Sequence, residues 1–260
     1  MTWLKDDERI DYLLADQKRR IIQSPSVFAF SADAVLLAHF TYLPIKKGKI
    51  IDLCTGNGVI PLFLSKRSQV EMVGVEIQER LFDMAKRNVS LNGLEEQIKI
   101  VHEDLKVVKK QFPHENFDLV TCNPPYFKEG TPDKMNINEH LRLARHEILC
   151  DLEDVLKASS QLVKSGGKVS LVHRPERLSD MFHLSAQFKL EPKRIQLVYP
   201  KQTKEANMLL IEFVKDGQSG LKVEPPIFIH EENGDYTEEM TRILYGEEGT
   251  STHGAHSEKL

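Results

Sequence analysis

Short β-branched runs alternate with stretches of helical periodicity along most of this chain, the signature of βαβ units around a largely parallel sheet. The apolar runs predict strands near residues 49–53, 70–76, 98–102, 117–122, 168–173, 194–199 and 207–214. The patterns between them predict helices over 31–41, 59–66, 78–91, 152–163 and 176–187. Only residues 200–206 separate the last two strands, too few for a helical crossover, so the final strand is expected to pair antiparallel. Residues 1–45 read as a mainly helical N-terminal extension contributing to the pocket, and 46–245 as the main domain. Within it, 127–149 is polar, charged and poorly periodic, and reads as a mobile loop or lid. An extended stretch over 221–230 and a helix over 236–245 follow the sheet, and 246–260, rich in Gly, Ser, His and Glu, reads as a disordered tail. There is no internal repeat.

The tips of the predicted strands carry the chemistry. The run Phe117 to Cys122 ends in Asn123-Pro124-Pro125-Tyr126. Buried strands avoid proline and unpaired amides, so acceptor groups held there by a rigid Pro-Pro pair, with an aromatic ring beside them, point to a planar amine. After the first strand, Asp52-Leu53-Cys54-Thr55-Gly56-Asn57-Gly58 reads as a glycine turn opening a helix. It lacks the full GxGxxG pattern of a pyrophosphate cradle, with Cys54 where a first glycine would stand, and taken alone fits a smaller nucleoside and a plain tight βα turn equally well. Glu76 closes the second strand and can accept from both hydroxyls of a ribose. Asp104 after the third can accept from an adenine amine, with Leu105 covering the ring. Helix capping explains Glu76 or Asp104 equally well one at a time. Three acidic strand tips, Asp52, Glu76 and Asp104, along the edge where open α/β sheets bind ligands favour a site.

Composition changes this picture little. The 260 residues are 40% hydrophobic and 28% charged, ordinary for a globular protein, and no apolar run approaches the ~20 residues of a membrane span. The charged start lacks a signal-peptide core. Cys54, Cys122 and Cys150 have no metal-like spacing and read as buried thiols of a cytoplasmic protein. The net charge of −4 comes from residues 231–260, with eight acidic and two basic side chains, so the nearly neutral remainder does not argue against a nucleic-acid partner. No metal and no membrane partner are expected, and the chain is expected to be a monomer or weak dimer.

Together these residues resemble the class I S-adenosylmethionine-dependent methyltransferases, in the amino-methylating branch with an NPPY motif, over residues 50–214. The resemblance implies a Rossmann-like α/β fold: a seven-stranded mixed sheet in the order 3-2-1-4-5-7-6, last strand antiparallel, with helices on both faces. It implies S-adenosylmethionine as cofactor, held by Asp52, Thr55, Gly56, Gly58, Glu76, Asp104, Leu105 and Asn123. Closer still, the segment from Ser26 to Ala38, and Ala144-Arg145-His146-Glu147, are similar to bacterial methyltransferases that modify adenine-37 N6 of tRNA1(Val). In that reading Phe28, Phe30 and Asp33 lie beside the pocket, although two core phenylalanines and a helix cap at Ser31 would explain them too.

The implied mechanism places one N–H of the target amine on the Asn123 side-chain oxygen and the other on the Pro124 carbonyl. Tyr126 stacks on the target, with Pro125 and Phe127 completing the substrate pocket. A tRNA anticodon loop offers a base that is easily unstacked. Lys128, Lys134, Arg142, Arg145, His146, Lys201 and Lys204 are candidate phosphate contacts, though solvated surface charge is the better explanation for any one of them. Three readings compete with an RNA adenine-N6 methyltransferase. A protein glutamine-N5 methyltransferase is disfavoured by the short upstream region. A DNA adenine or ribosomal-RNA guanine enzyme is weakened by the lack of an obvious second recognition domain. A non-catalytic RNA-binding scaffold is opposed by the intact motif.

Overall fold

The computed structural model describes residues 4–13, 16–27, 31–43, 46–112, 117–126 and 150–246. Phe28, Phe30, Phe127, the segment 127–149 with its basic residues, and the tail 247–260 lie outside these described residues. In chain order the elements begin with β1 (Arg9–Leu13), β2 (Asp16–Gln23), α1 (Ala32–Phe40), β3 (Lys49–Leu53), α2 (Val59–Leu64), β4 (Glu71–Glu76), α3 (Glu79–Leu91), β5 (Ile98–His102) and β6 (Phe117–Cys122). They continue with α4 (Leu152–Leu162), β7 (Val163–His173), α5 (Leu178–Gln187), β8 (Leu190–Tyr199), β9 (Met208–Lys215), β10 (Lys222–Val223), β11 (Ile227–Phe228) and α6 (Glu238–Tyr245).

Neighbouring residues on the central strands feed opposite cores. Ile50, Leu119 and Leu210 pack on one face of the sheet with α1, α2, α6 and Val89 of α3, while Ile51, Val120 and Ile211 pack on the other with α4 and Met181 of α5. A strand covered on both sides must be apolar at consecutive positions, which is why these runs are continuous rather than alternating. The order β8-β9-β7-β6-β3-β4-β5, with β9 antiparallel to both neighbours, is the one the seven predicted strands were expected to take. The sheet is larger than expected, at nine strands among the described residues, because β10 and β11 pair parallel to β8. That edge would otherwise leave a row of unpaired backbone groups, and the extended stretch after β9 satisfies it.

The N-terminal region departs from the helical expectation. β1 and β2 form an antiparallel hairpin, and helix begins only at α1. An isolated hairpin is marginal in water, so this one depends on docking. Ile22 packs with Val27 and with Leu81 and Met84 of α3, while Leu13 and Ile21 join the main core. Burial of both Ile21 and Ile22 removes the simple alternation that would have marked a strand. Polar contacts complete the dock. Asn88, fully buried in α3, accepts from the Ile22 N–H at 2.6 Å and donates to Ile22 O at 3.2 Å and Asn57 O at 2.9 Å. Asn57 itself donates to Ile22 O at 3.3 Å, so the hairpin is tied directly to the turn after β3.

Asn88→Ala strands a buried N–H and weakens two carbonyl contacts, for a destabilisation of about 2–3 kcal/mol. Urea denaturation checks this: an unchanged midpoint with an unchanged slope would remove the clamp from the account.

Candidate active site

Because β3, β4, β5, β6 and β7 run parallel, their carboxyl ends open onto one edge, and the turn after each supplies one part of the site. The turn after β3 is built on three left-handed residues, Cys54, Gly56 and Gly58, with φ of 55°, 58° and 84°. Gly56 faces open space, since a Cβ there would meet nothing within 4 Å, whereas one on Gly58 would sit 3.4 Å from Ala85 Cβ. Below the turn lies Asp52, 1% exposed. It accepts from the Thr55 hydroxyl and from the Thr121 hydroxyl of β6, each at 2.6 Å. Both oxygens are thus committed inside the protein, which makes Asp52 the support of the loop rather than an open ligand group. Thr55 is likewise buried, donating its backbone N–H to Val75 O at 2.9 Å.

Cys54 is the departure from the glycine pattern, and its left-handed backbone, at a φ of 55°, is a conformation that costs a non-glycine residue roughly 1–2 kcal/mol. Its thiol lies against those of Cys122 and Cys150. Contact with a neighbouring thiol, and then burial, holds the Cys54 and Cys150 thiols well above their ordinary range, and burial does the same for Cys122. They are therefore neutral packing groups. Among the described residues no set of His, Cys, Asp and Glu is arranged to hold a metal.

Glu76, 5% exposed, accepts from the backbone N–H of Gly56 at 2.8 Å and of Gln78 at 2.9 Å. Burial pushes its carboxyl up to about 7 against the pull of these donors, and burial also lifts Asp52 to about 7 despite its two hydroxyls. Next to Glu76, Ile77 is 37% exposed, an apolar side chain at the sheet edge that the sequence reading missed. Asp104 accepts from the Lys106 N–H at 2.8 Å and its carbonyl accepts from Val107 and Val108, so it caps the turn after β5. Leu105 is buried in the core on the α4 side.

The fourth turn carries Asn123 to Tyr126. Pro124 and Pro125 are buried, while Asn123 and Tyr126 are partly exposed. The Tyr126 hydroxyl donates to Asp33 Oδ2 at 2.8 Å and also contacts Asn123 Oδ1. The resemblance placed Asp33 beside the cofactor and target pocket. The structure sets its carboxylate on the Tyr126 hydroxyl, at the first turn of α1. Two neighbours from the end of β7, which no motif singled out, hold the ring: His173 with centroids 5.3 Å apart, and the Arg174 guanidinium 5.1 Å from the centroid. His173 Nδ1 accepts from the Arg174 N–H at 2.8 Å, so its proton sits on Nε2. Burial, reinforced by Arg177 and Arg174, drives this imidazole down to about 3 and keeps it neutral. The strand-tip rule that selected Glu76 and Asp104 would have selected His173 as well.

The edge thus joins an open glycine turn, a desolvated carboxylate and a partly exposed amide–phenol pair. Hydroxyl donors from a ribose would add to the two backbone N–H groups already on Glu76, whose carboxyl is raised to about 7 by burial. The order of the strands and this edge define a Rossmann-like methyltransferase. Residues 18–189 match the methyltransferase small domain, and the chain belongs to that family. It is 26% identical over 224 residues to a tRNA1(Val) (adenine(37)-N6)-methyltransferase of Photobacterium profundum, covering 84% of this chain and 91% of the relative. A protein of the same name from Porphyromonas gingivalis is 28% identical over 201 residues, covering 74% and 76%. A solved structure of a predicted O-methyltransferase from Agrobacterium tumefaciens superposes with a TM-score of 0.65 at 22% identity, covering 82% of this chain and 96% of that one, which establishes the shared fold. Among the described residues no helix is long and apolar enough to cross a membrane.

The two buried acids leave a signature in stability. Their folded-state values, about 7, lie above the unfolded 3.8 and 4.5, so their contribution is fully present below the unfolded values and is lost as pH rises toward 7. At about 1.4 kcal/mol per pKa unit the combined change is on the order of 8 kcal/mol. The double variant Asp52→Asn/Glu76→Gln is expected to lose this part of the slope between pH 4 and 7 in thermal unfolding. Parallel curves for variant and wild type would refute the raised values.

Proposed function

We propose that this protein transfers a methyl group from S-adenosylmethionine to the exocyclic N6 of an adenine in tRNA, position 37 of tRNA1(Val). The observation that carries the nitrogen chemistry is the Asn123-Pro124-Pro125-Tyr126 turn, set at the end of β6 beside the glycine turn and Glu76. The choice of adenine in tRNA is supported by the relatives of that name, which align over most of their length. The anticodon loop is the expected recognition element.

The cofactor supplies an electrophilic methyl group on a sulfonium. Gly56 and Gly58, with Thr55 and Asp52 fixing their turn, would hold its amino-acid part, Glu76 the ribose, and Ile77, Asp104 and Leu105 the base; Ile77 is added here because its exposed side chain adjoins Glu76. An adenine amine is a weak nucleophile because its lone pair is delocalised into the ring. Acceptors on both of its hydrogens align the nitrogen and stabilise the positive charge that develops on it, and Asn123 with the Pro124 carbonyl provides two. Proline at 124 and 125 fixes φ, so the carbonyl is held in place with no reorganisation. Tyr126, partly exposed and braced by His173 and Arg174, offers a flat face for the base, a contact worth about 1–3 kcal/mol. The proton lost after transfer is acidic enough to leave to water.

Transfer of labelled methyl to tRNA1(Val) transcripts tests this. Wild-type protein is expected to label the transcript with adenine at 37 and not the one with guanine there, and Asn123→Ala to lose roughly 10²–10³-fold in kcat. Labelling of a glutamine side chain in a protein, with none in tRNA, would overturn the substrate assignment. Hydroxyl donation favours the ionised form of Glu76, so cofactor affinity is expected to be greatest above pH 7 and to fall as Glu76 protonates below it. Calorimetric titration of Glu76→Gln across the same range should give a weaker and flat dependence.

A further inference from the structure

Tyr126 has one phenolic proton, yet its oxygen lies in hydrogen-bond contact with two side-chain oxygens, Asp33 Oδ2 and Asn123 Oδ1. A hydroxyl donates once and accepts twice, so both contacts are satisfied only when one partner donates to the phenolic oxygen. The Asp33 carboxylate has no proton to give, whereas the Asn123 carboxamide has two on its nitrogen. The two branches of a carboxamide are nearly isosteric, and their partners decide which way it points. We propose that Asp33 takes the Tyr126 proton, that the Asn123 NH2 group donates to the phenolic oxygen, and that the Asn123 carbonyl oxygen is thereby turned toward the target amine. Asp33 is then a positioning residue that sets the polarity of the amide on which catalysis depends.

Acceptor strength decides where the proton goes. A charge-assisted bond to a carboxylate is roughly twice as strong as one to a neutral amide oxygen. Burial, and then the charge of Asp33, holds the phenol well above its ordinary value, so it keeps its proton to share. Neither partner is free to drift. Tyr126 is braced by His173 and Arg174, and α1 is anchored by the buried Ala34, Val35, Leu36 and Leu37. The other branch of the Asn123 amide makes no hydrogen bond among the described residues and is not buried, so it is the branch that meets a ligand. With the opposite polarity the target amine would face an NH2 group, donor against donor, and only the Pro124 carbonyl would remain as an acceptor. The identity of a residue in α1, 93 positions from Tyr126, thus determines whether the motif offers one acceptor or two.

This inference rests on the reading that Asn123 accepts from the substrate amine. It is tested with Asp33→Ala, Asp33→Asn, Tyr126→Phe and the double variant Asp33→Ala/Tyr126→Phe. Without Asp33 the phenol is expected to donate to the Asn123 oxygen and occupy it, so Asp33→Ala loses about 10²-fold in kcat while KM for tRNA and the cofactor Kd stay within about twofold. Asp33→Asn, which keeps an uncharged acceptor, falls between the two. Removing the hydroxyl removes the competitor, and in the Tyr126→Phe background Asp33→Ala is expected to cost less than about threefold. An equal cost in both backgrounds would overturn the proposal. A second readout needs no activity: in the cofactor-free protein the Asn123 side-chain NH2 resonances should be slow to exchange in wild type and fast in Asp33→Asn. Equal exchange would also overturn it. If wild type methylates no tRNA, the proposed function fails, and the exchange comparison still decides the amide polarity.

Discussion

One buried carboxyl group holds the site together. Asp52 sits at the end of the strand paired with both β4 and β6, and each of its oxygens takes one hydroxyl. Thr55 belongs to the glycine turn after β3, and Thr121 lies two residues before the Asn123 amide. A single side chain therefore fixes the distance between the group that would hold the methyl donor and the group that would hold the acceptor. The carboxyl is 1% exposed, and the hydroxyls do not fully offset its loss of water. The same is true of Glu76, where backbone N–H groups stand in for solvent. Local stability is given up to keep both groups preorganised.

Cys54 belongs to the same trade. A left-handed residue with a side chain is unfavourable, and the thiol contacts it makes with Cys122 and Cys150 lie beneath the catalytic edge. Cys122 immediately precedes Asn123, so this contact is a second link between the glycine turn and the amide, parallel to that of Asp52.

The sheet was legible in the sequence because doubly buried strands leave continuous apolar runs, and those runs end where the polar groups begin. Glu76, Asp104 and Asn123 could be placed on one edge from topology alone. What topology could not say is which of them are already occupied. Asp104 caps its own turn, while Asp52 takes the Thr121 hydroxyl and Asp33 the Tyr126 hydroxyl, 69 and 93 residues away, pairings that no local pattern contains. The hairpin was missed for a related reason. Its strands bury Leu13, Ile21 and Ile22 against α3 and the main core, so its stability comes from surfaces that a local pattern does not contain. β10 and β11, two residues each, are too short for any periodicity to mark them.

The N-terminal segment makes its closing contacts far downstream. Ile22 bonds to Asn88 across 66 residues, Asp33 to Tyr126 across 93, and Phe40 O accepts from Arg194 across 154. On the ribosome this segment emerges before the elements that complete it. Its apolar residues wait, unpaired, for α3 and then for the far half of the sheet, so long-range loop closure rather than local helix formation sets the pace of maturation. A nascent chain released before β8 would carry the glycine turn and the NPPY motif, and still lack the strand that secures α1.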